Sequence, residues 1–324
     1  MFYLGIDISK DSFDIALLSA EQRWGGHFSN DAPGFAKLGR WLKKRQVGAL
    51  HACMEATNRY WEALALFLTE EGHQVSVVNP KLIKRHAEAT MQRNKTDTQD
   101  ALTIADYCAK QQPDLWTPPS AARRELKDMA RHLQALKDDR HRERNRQATG
   151  LSSPPVQEAI KRHIAFLDEQ IAELEERVQQ HIDQHPDLKR DKQLLQSIPG
   201  VGPTVAATFL AEVPHVSNFA QAGQVAAFAG LTPGEHHSGS SIHRPGKLVK
   251  WGNAHLRTVF YMPALSAHRH NAIIRNLKER LEARGKSKMT VIVAVMRKLM
   301  HLCYGVLKTR KPFDENHALN AQIA

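Results

Sequence analysis

The first third of the chain contains short apolar runs that alternate with stretches of helical spacing. Runs bounded by turn residues predict strands, at residues 2–8, 13–18, 48–54 and 74–78. Stretches with apolar residues three or four apart predict helices, at residues 34–44, 61–71 and 97–111. The pattern predicts an α/β domain over residues 1–118, closed by the rigid segment Trp116-Thr117-Pro118-Pro119.

The remainder of the chain carries helical patterns. A charged helix over 123–147 and a second over 156–182 are separated by Ser152-Ser153-Pro154-Pro155, and the second has the apolar seam of a coiled coil. These features predict an all-α coiled-coil arm over residues 119–189, serving as an architectural element or as an oligomerisation surface. Residues 190–324 predict a helical domain, within which 234–250 is rich in Gly, Ser, His and basic residues and has no period.

Composition narrows the class of protein. The 324 residues suggest about two domains, and the 42% of hydrophobic residues is typical of a globular chain. No apolar run is long enough to cross a bilayer and no signal peptide is evident, so the sequence predicts a cytoplasmic protein without a membrane partner. The three cysteines, far apart, support neither a disulfide framework nor a zinc site. A net charge of +11 favours a nucleic-acid partner, with a basic solvated surface as the alternative.

Four acidic residues of this basic chain lie in or at the ends of predicted elements: Asp7 interrupts an apolar run, Glu55 ends another, and Asp97 and Asp100 open a helix. We call them the acidic quartet. Carboxylates brought together repel one another unless cations lie between them, so the quartet predicts a divalent-metal site for phosphodiester chemistry. A structural alternative exists for the helical pair, in which Asp97 is an N-cap and Asp100 interacts with the helix dipole.

Two glycine-rich segments are candidate phosphate-binding elements. Ser238-Gly239-Ser240-Ser241 precedes four cations, Arg244, Lys247, Lys250 and Arg257, and predicts a phosphate-binding loop, or else a plain surface loop. The segment 198–203 predicts the turn of a helix-hairpin-helix, in which Gly200 and Gly202 let the backbone approach a phosphate, or else a helical turn with a glycine C-cap.

The helix over 123–147 contains nine basic residues, among them Arg131 and Arg140. These residues are candidate nucleic-acid contacts, although interspersed acids make a salt-bridged, solvated helix equally reasonable. No segment has the pattern of a helix that reads bases in the major groove.

The motifs together resemble a known family. Gly5-Ile6-Asp7, Met54-Glu55-Ala56-Thr57, the segment Asn94-Lys95-Thr96-Asp97-Thr98-Gln99-Asp100 and the serine segment are similar to those of IS110-family insertion-sequence transposases, which are related to the Piv DNA invertase. The resemblance implies an RNase H-like (RuvC-like) first domain, in which Asp7, Glu55, Asp97 and Asp100 bind Mg²⁺, with Mn²⁺ as a substitute. It further implies that Ser238 is a nucleophile acting close to these ions.

The function implied by this resemblance is that of a DNA transposase or recombinase. Such a protein cuts and rejoins donor and target DNA through a 5′-phosphoserine intermediate, guided by a structured bridge RNA, and works as a dimer or tetramer. The general base for Ser238 stays open, with His236 and His237 as neighbours. The alternatives are a metal-dependent endonuclease resembling a Holliday-junction resolvase, and a non-catalytic RNA- and DNA-binding protein.

Overall fold

The computed structural model describes residues 1–91, 96–150, 152–238, 242–249 and 252–315. The chain divides into two compact units, Met1–Pro118 and Pro119–Ala324. The first unit is mixed α/β and the second is mostly helical, which confirms the predicted α/β and helical character of these two parts of the chain.

The first unit is built on a five-stranded sheet of order β3-β2-β1-β4-β5. Its strands are β1 (Phe2–Ile8), β2 (Ser12–Leu18), β3 (Arg23–Ser29), β4 (Leu50–Glu55) and β5 (Gln74–Val78). Its helices are α1 (Ala32–Lys44), α2 (Glu62–Glu70), α3 (Pro80–Ala89) and α4 (Asp97–Gln111). Strands β1 to β3 form an antiparallel meander, whereas β4 is parallel to β1 and β5 is parallel to β4.

The side chains of β1 divide between two layers. Leu4, Ile6 and Ile8 point to one face, where they join a buried cluster that includes Phe35 and Leu64 from α1 and α2. Gly5 and Asp7 point to the opposite face, because successive strand residues alternate. Helix α4 lies on this second face.

The close approach of α4 to β1 depends on a glycine. A Cβ atom placed on Gly5 would lie 2.1 Å from the carbonyl oxygen of Ala101 and 2.2 Å from the backbone nitrogen of Ala105. Real Cβ atoms do not come this close to backbone atoms, so any other residue at position 5 requires the helix to move away. Gly5 therefore sets the distance between α4 and the sheet.

Two elements of the first unit were absent from the sequence prediction. Strand β3 contains Gly25 and Gly26 and lacks the apolar alternation of a typical strand. Helix α3 begins at Pro80, where the sequence was interpreted only as the end of a strand. Asn79 instead caps this helix by accepting a hydrogen bond from the backbone of Lys81 at 3.0 Å, and proline suits the first helical turn.

The second unit begins with two long helices, α5 (Ala121–Ala148) and α6 (Pro154–Gln184). They are antiparallel, because ion pairs join Lys137 to Glu175 and Arg140 to Asp168. The seam of α6 is partly buried, with Ile160, Leu167, Ile171, Val178 and Ile182 as its buried apolar residues. The remaining helices are α7 (Pro186–Gln196), α8 (Pro203–Glu212), α9 (Ala222–Phe228), α10 (Ala254–Ser266), α11 (Ala272–Ala283) and α12 (Lys288–Thr309).

The sequence shows no strand signal beyond about residue 123, but the described part of this unit contains two strands. Strands β6 (Thr232–Ser238) and β7 (Ile242–Val249) form an antiparallel hairpin, which we call the serine hairpin. Its sequence contains glycine, serine, histidine and basic residues without alternating apolar positions. Since that alternation marks strands with one buried face, a hairpin without it gives no periodic signal.

One helix of the described chain, α12, is long and apolar enough to cross a membrane. Half of the most apolar stretch of this helix is buried within the protein. Val295, Leu299, Cys303 and Leu307 belong to the core of the second unit, so the apolar character of this helix is explained by packing.

The role of Gly5 can be tested by Gly5→Ala. We expect this change to destabilise the first unit by about 1–3 kcal/mol or more, because the new methyl group overlaps the backbone of α4. Gly48→Ala is the matched control, since a Cβ there meets no atom within 4 Å. Urea unfolding of the full chain measures both variants, and an unchanged midpoint for Gly5→Ala would contradict the packing argument.

Candidate active site

Asp7 and Glu55 lie side by side at one end of the sheet. The parallel register of β1 and β4 pairs Gly5 with Cys53 and Ile6 with Met54, so the next step along both strands places Asp7 beside Glu55. Neighbouring strands are about 4.8 Å apart, and both residues follow the same alternation toward α4. Both residues are half-buried.

Helix α4 brings the other two acids of the quartet to the same end. The helix is antiparallel to β1, because the Nε2 of Gln112 donates to the Oη of Tyr3 at 2.8 Å, whereas Ala101 lies against Gly5. Asp97 is four residues before Ala101, which corresponds to about 6 Å along a helix. Two residues of strand, from Gly5 to Asp7, cover about the same distance. The first turn of α4 therefore lies at the same height along β1 as Asp7, on the face of the sheet to which the Asp7 side chain points.

The start of α4 rules out one structural role for Asp97. Thr96 is the N-cap, and its side chain accepts a hydrogen bond from the backbone of Gln99 at 3.3 Å. Asp97 is therefore the first helical residue and not the cap, and Asp100 is the fourth. Both carboxylates still interact favourably with the helix dipole, which stabilises anions in the first turn. Asn94 and Lys95 of the same motif lie outside the described residues.

A second contact fixes α4 against α3. The carboxylate of Asp106 accepts from the Nε2 of His86 at 2.8 Å and from the Nζ of Lys110 at 2.9 Å. Burial alone raises the pKa of Asp106, but these hydrogen bonds outweigh burial and hold the pKa below its ordinary value. The charged Asp106 thus helps to position the helix that carries Asp97 and Asp100.

Sequence reasoning missed an acid that adjoins the quartet. Asp14 of β2 is directly opposite Asp7 in the antiparallel register, and its Oδ2 lies 3.0 Å from the Nδ1 of His27 on β3. The signal was present in the sequence, since Asp14 interrupts the apolar run of β2 as Asp7 interrupts that of β1. The row across four strands is therefore His27, Asp14, Asp7 and Glu55.

The donor atoms of the quartet suit a hard divalent cation, because Mg²⁺ prefers carboxylate oxygens. Within the described parts of the chain, no three His, Cys, Asp or Glu side chains are close enough to form a complete metal site. The backbone thus places four carboxylates at one end of the sheet without closing them into a ligand cage. A cation bound there needs further ligands, and water and substrate phosphate supply these in typical Mg²⁺ sites.

Ser238 is the last residue of strand β6, in the second unit. Its backbone pairs with that of Ile242. Gly239, Ser240 and Ser241 of the predicted phosphate-binding loop lie outside the described residues, as does Lys250, whereas Arg244 and Lys247 belong to β7.

Three predicted nucleic-acid contacts have intramolecular partners. Arg131 donates to both carboxylate oxygens of Glu212, at 2.6 and 2.9 Å. Arg140 donates to Asp168 at 2.6 Å, and Arg257 donates to the carbonyl oxygen of Ala229 at 2.9 Å. These contacts give each arginine a structural role. An interaction of the three with nucleic acid remains a prediction.

The two glycines of the predicted helix-hairpin-helix turn differ in their surroundings. Gly200 has a φ of +100°, and a Cβ there would lie 2.8 Å from that of Ala267. Packing and backbone conformation thus account for this glycine. Gly202 precedes α8 and faces open space, since a Cβ there meets nothing within 4 Å among the described residues. Gly202 therefore fits close approach of a phosphate better than Gly200 does.

Comparison with known families identifies the class of protein. Residues 4–153 match the DEDD transposase model of the IS110 group, and residues 192–279 match the transposase model of the IS116/IS110/IS902 family. The chain belongs to this family of insertion-sequence transposases and recombinases. It is accordingly an enzyme that cuts and rejoins DNA.

Individual relatives cover nearly the whole chain. The pilin gene-inverting proteins of Moraxella bovis and Moraxella lacunata are each 35% identical over 317 residues, which is 97% of this chain and 98% of the relative. The transposase for insertion sequence element IS1111A of Coxiella burnetii is 25% identical over 332 residues, 90% of this chain and 86% of the relative. The match to the Moraxella proteins by itself establishes family membership.

A cation held by the quartet should stabilise the protein, because a ligand that binds only the folded state raises its stability. We expect MgCl₂ or MnCl₂ to raise the melting temperature of the wild type, and Glu55→Gln to reduce that increase strongly. Glu70→Gln is the matched control, since Glu70 ends α2 before β5 begins, at the opposite end of the parallel strands. Thermal unfolding with and without metal measures the effect. An equal rise in melting temperature for the wild type and both variants would show that Glu55 does not bind the cation.

Proposed function

We propose that this chain is a recombinase that cuts and rejoins DNA through a 5′-phosphoserine at Ser238, with the acidic quartet holding Mg²⁺. The observation that carries the proposal is the placement of Asp7, Glu55, Asp97 and Asp100 at one end of one sheet. The order β3-β2-β1-β4-β5, an antiparallel meander followed by parallel strands, supports an RNase H-like (RuvC-like) domain.

The quartet supplies the metal-binding part of this proposal. Asp7 and Glu55 on neighbouring strands and the two aspartates of α4 provide oxygen donors from three elements. A bound Mg²⁺, or Mn²⁺ in its place, neutralises charge that develops on the phosphate. Without a cation the same carboxylates repel both one another and a DNA phosphate, so metal is required for DNA to approach.

The serine step exchanges one phosphodiester bond for another. The Oγ of Ser238 attacks the phosphorus, the P–Oγ bond forms, and the P–O3′ bond breaks. The serine proton passes to a base, for which His236 and His237 are the neighbouring candidates, and the leaving strand ends in a 3′-hydroxyl. A second 3′-hydroxyl then attacks the phosphoserine and releases Ser238. Because each step conserves a phosphodiester, resealing needs no ATP.

Several features support contacts with donor and target DNA and with a guide RNA. The net charge of +11 favours polyanions, and Gly202 leaves space for a phosphate before the first turn of α8. Arg244, Lys247 and Lys250 follow Ser238 within twelve residues. The sequence offers no base-reading helix, so we infer that a structured bridge RNA provides sequence recognition by base pairing.

Recombination joins four strand ends, so we propose a homodimer or homotetramer acting in the cytoplasm. The α5–α6 arm, proposed as a coiled coil, is the candidate interface, since Val156 and Phe166 on α6 are 45% and 54% exposed. The similarity to two pilin gene-inverting proteins over 97% of this chain also favours DNA inversion as a product. Insertion and inversion share the same strand chemistry and differ in the arrangement of the joined sites.

The serine step is tested with Ser238→Ala. The wild type, isolated together with its cellular RNA, should form a covalent adduct on a DNA substrate that traps the cleaved strand, with the 5′ end linked to Ser238. Ser238→Ala should form no adduct while DNA and RNA binding stay within about twofold, because an alanine removes one oxygen. Mass spectrometry of the adduct locates the modified residue.

Ser240→Ala is the matched control, since it removes the same atom two residues away and should leave the adduct intact. Adduct formation by Ser238→Ala would refute the assignment. Cleavage by the wild type that leaves free 5′-phosphates and no covalent protein would favour the metal-dependent endonuclease instead. Sequencing of the co-purified RNA tests the guide, and the absence of one enriched structured RNA would remove that part of the proposal.

A further inference from the structure

The two ends of the serine hairpin meet at one point of the second unit. The backbone nitrogen of Asn253, which follows β7, donates to the carbonyl oxygen of Phe228, which precedes β6, at 2.8 Å. A Cβ on Gly252 would lie 2.4 Å from the nitrogen of Gly230, so the two chain segments cross in direct backbone contact. We call residues 228–231 with 252 and 253 the hairpin base.

Arginines from two helices bind the hairpin base. Arg257 of α10 donates through Nη1 to the carbonyl oxygens of Ala229 at 2.9 Å and Gly252 at 3.1 Å, and so joins both segments. Arg297 of α12 donates to the carbonyl oxygen of Leu231 at 3.4 Å. These backbone carbonyl groups, which in an exposed loop would accept hydrogen bonds from water, instead accept them from side chains of two helices.

A buried carboxylate completes this arrangement. Glu212 is the last residue of α8, and its side chain is 1% exposed. It accepts two hydrogen bonds from Arg131 on α5 and one, at 2.6 Å, from the Nδ2 of Asn253. The Oδ1 of Asn253 meanwhile accepts from the backbone of Leu256 and caps α10. Glu212 thus connects the hairpin base to α8 and, through Arg131, to α5.

The charge state of Glu212 fits this role. Burial alone raises the pKa of its carboxyl group, but the hydrogen bonds from Arg131 and Asn253 outweigh burial, so the pKa lies below its ordinary value. Replacing a buried ion pair by apolar residues is often neutral or stabilising, so such a pair is weak evidence of a stability role. What an ion pair adds beyond an apolar contact is a defined direction, because Arg131 and Asn253 must meet the carboxylate in one geometry.

We propose that Glu212 is a positioning residue for the serine hairpin: Arg131 fixes its carboxylate, and the carboxylate in turn holds Asn253 of the hairpin base, from which the strand ending at Ser238 extends. The inference rests on the proposed role of Ser238 as the nucleophile. Displacement of a reacting group by about 1 Å reduces rates by as much as about 100-fold, so a loosened base affects chemistry more than binding.

The test compares Glu212→Ala and Glu212→Gln with the matched control Asp168→Ala. Asp168 on α6 accepts from Arg140 and Arg144, so its loss also removes ion pairs of α5, but away from the hairpin base. Hydrogen–deuterium exchange of the full-length protein without nucleic acid should show faster exchange over 232–249 for Glu212→Ala. Glu212→Gln should be intermediate, because glutamine still offers an oxygen to Asn253. Asp168→Ala should leave this segment at the wild-type rate.

The second measurement is the rate of covalent adduct formation at saturating DNA. Glu212→Ala should lower that rate by roughly 10- to 100-fold with DNA affinity nearly unchanged, whereas Asp168→Ala should not. Faster exchange throughout the second unit in Glu212→Ala, and not mainly over 232–249, would point to a general loss of stability and would overturn the proposal, as would wild-type exchange of the hairpin in Glu212→Ala. If the wild type forms no adduct, the serine assignment fails, and the exchange experiment still decides whether Glu212 holds the hairpin.

Discussion

The arrangement of the first unit depends on the absence of a side chain at Gly5. Because nothing projects from this residue, the backbone of Ala101 and Ala105 packs directly on β1, and α4 runs back along the strand to the end at which Asp7 lies. A larger residue would lift the helix by the width of a methyl group or more, and Asp97 and Asp100 would move with it. The geometry of a four-carboxylate site is thus set by a backbone contact that involves none of the four.

Bringing these carboxylates to one place has an electrostatic cost that the fold reduces in several ways. Asp97 and Asp100 occupy the first turn of α4, where the helix dipole stabilises negative charge. Asp14, the neighbour of Asp7, lies next to His27. The acids stay partly exposed, so water screens their repulsion until a cation is present. The site is therefore compatible with a folded apo protein, yet its charge favours divalent metal over a bare DNA phosphate.

Elements with regularly spaced buried apolar residues were predicted from the sequence. Elements held by individual polar contacts were not. Helix α4 was predicted with its observed bounds, since its apolar residues and its terminal residues agree. Strand β3 and the serine hairpin were missed because neither has alternating apolar residues. The quartet was identified from acids that interrupt apolar runs, but its partner Asp14 was overlooked. The intramolecular acceptors of Arg131 and Arg257, both predicted as nucleic-acid contacts, were not foreseen, because a basic residue looks the same in sequence whether or not it donates to a buried acceptor.

The contacts of these two arginines show why this basic chain contains a buried acid, Glu212, away from the acidic quartet. A hairpin rich in glycine, serine and histidine cannot anchor itself by burying apolar side chains, so its position has to come from directed polar contacts at its ends. Arg257 reaches two carbonyl oxygens of the hairpin base at once, and Glu212, itself held by Arg131, accepts from Asn253 of the same base. The serine hairpin lacks alternating apolar residues, so it gives no strand signal in the sequence. For the same reason its position depends on polar contacts at the hairpin base.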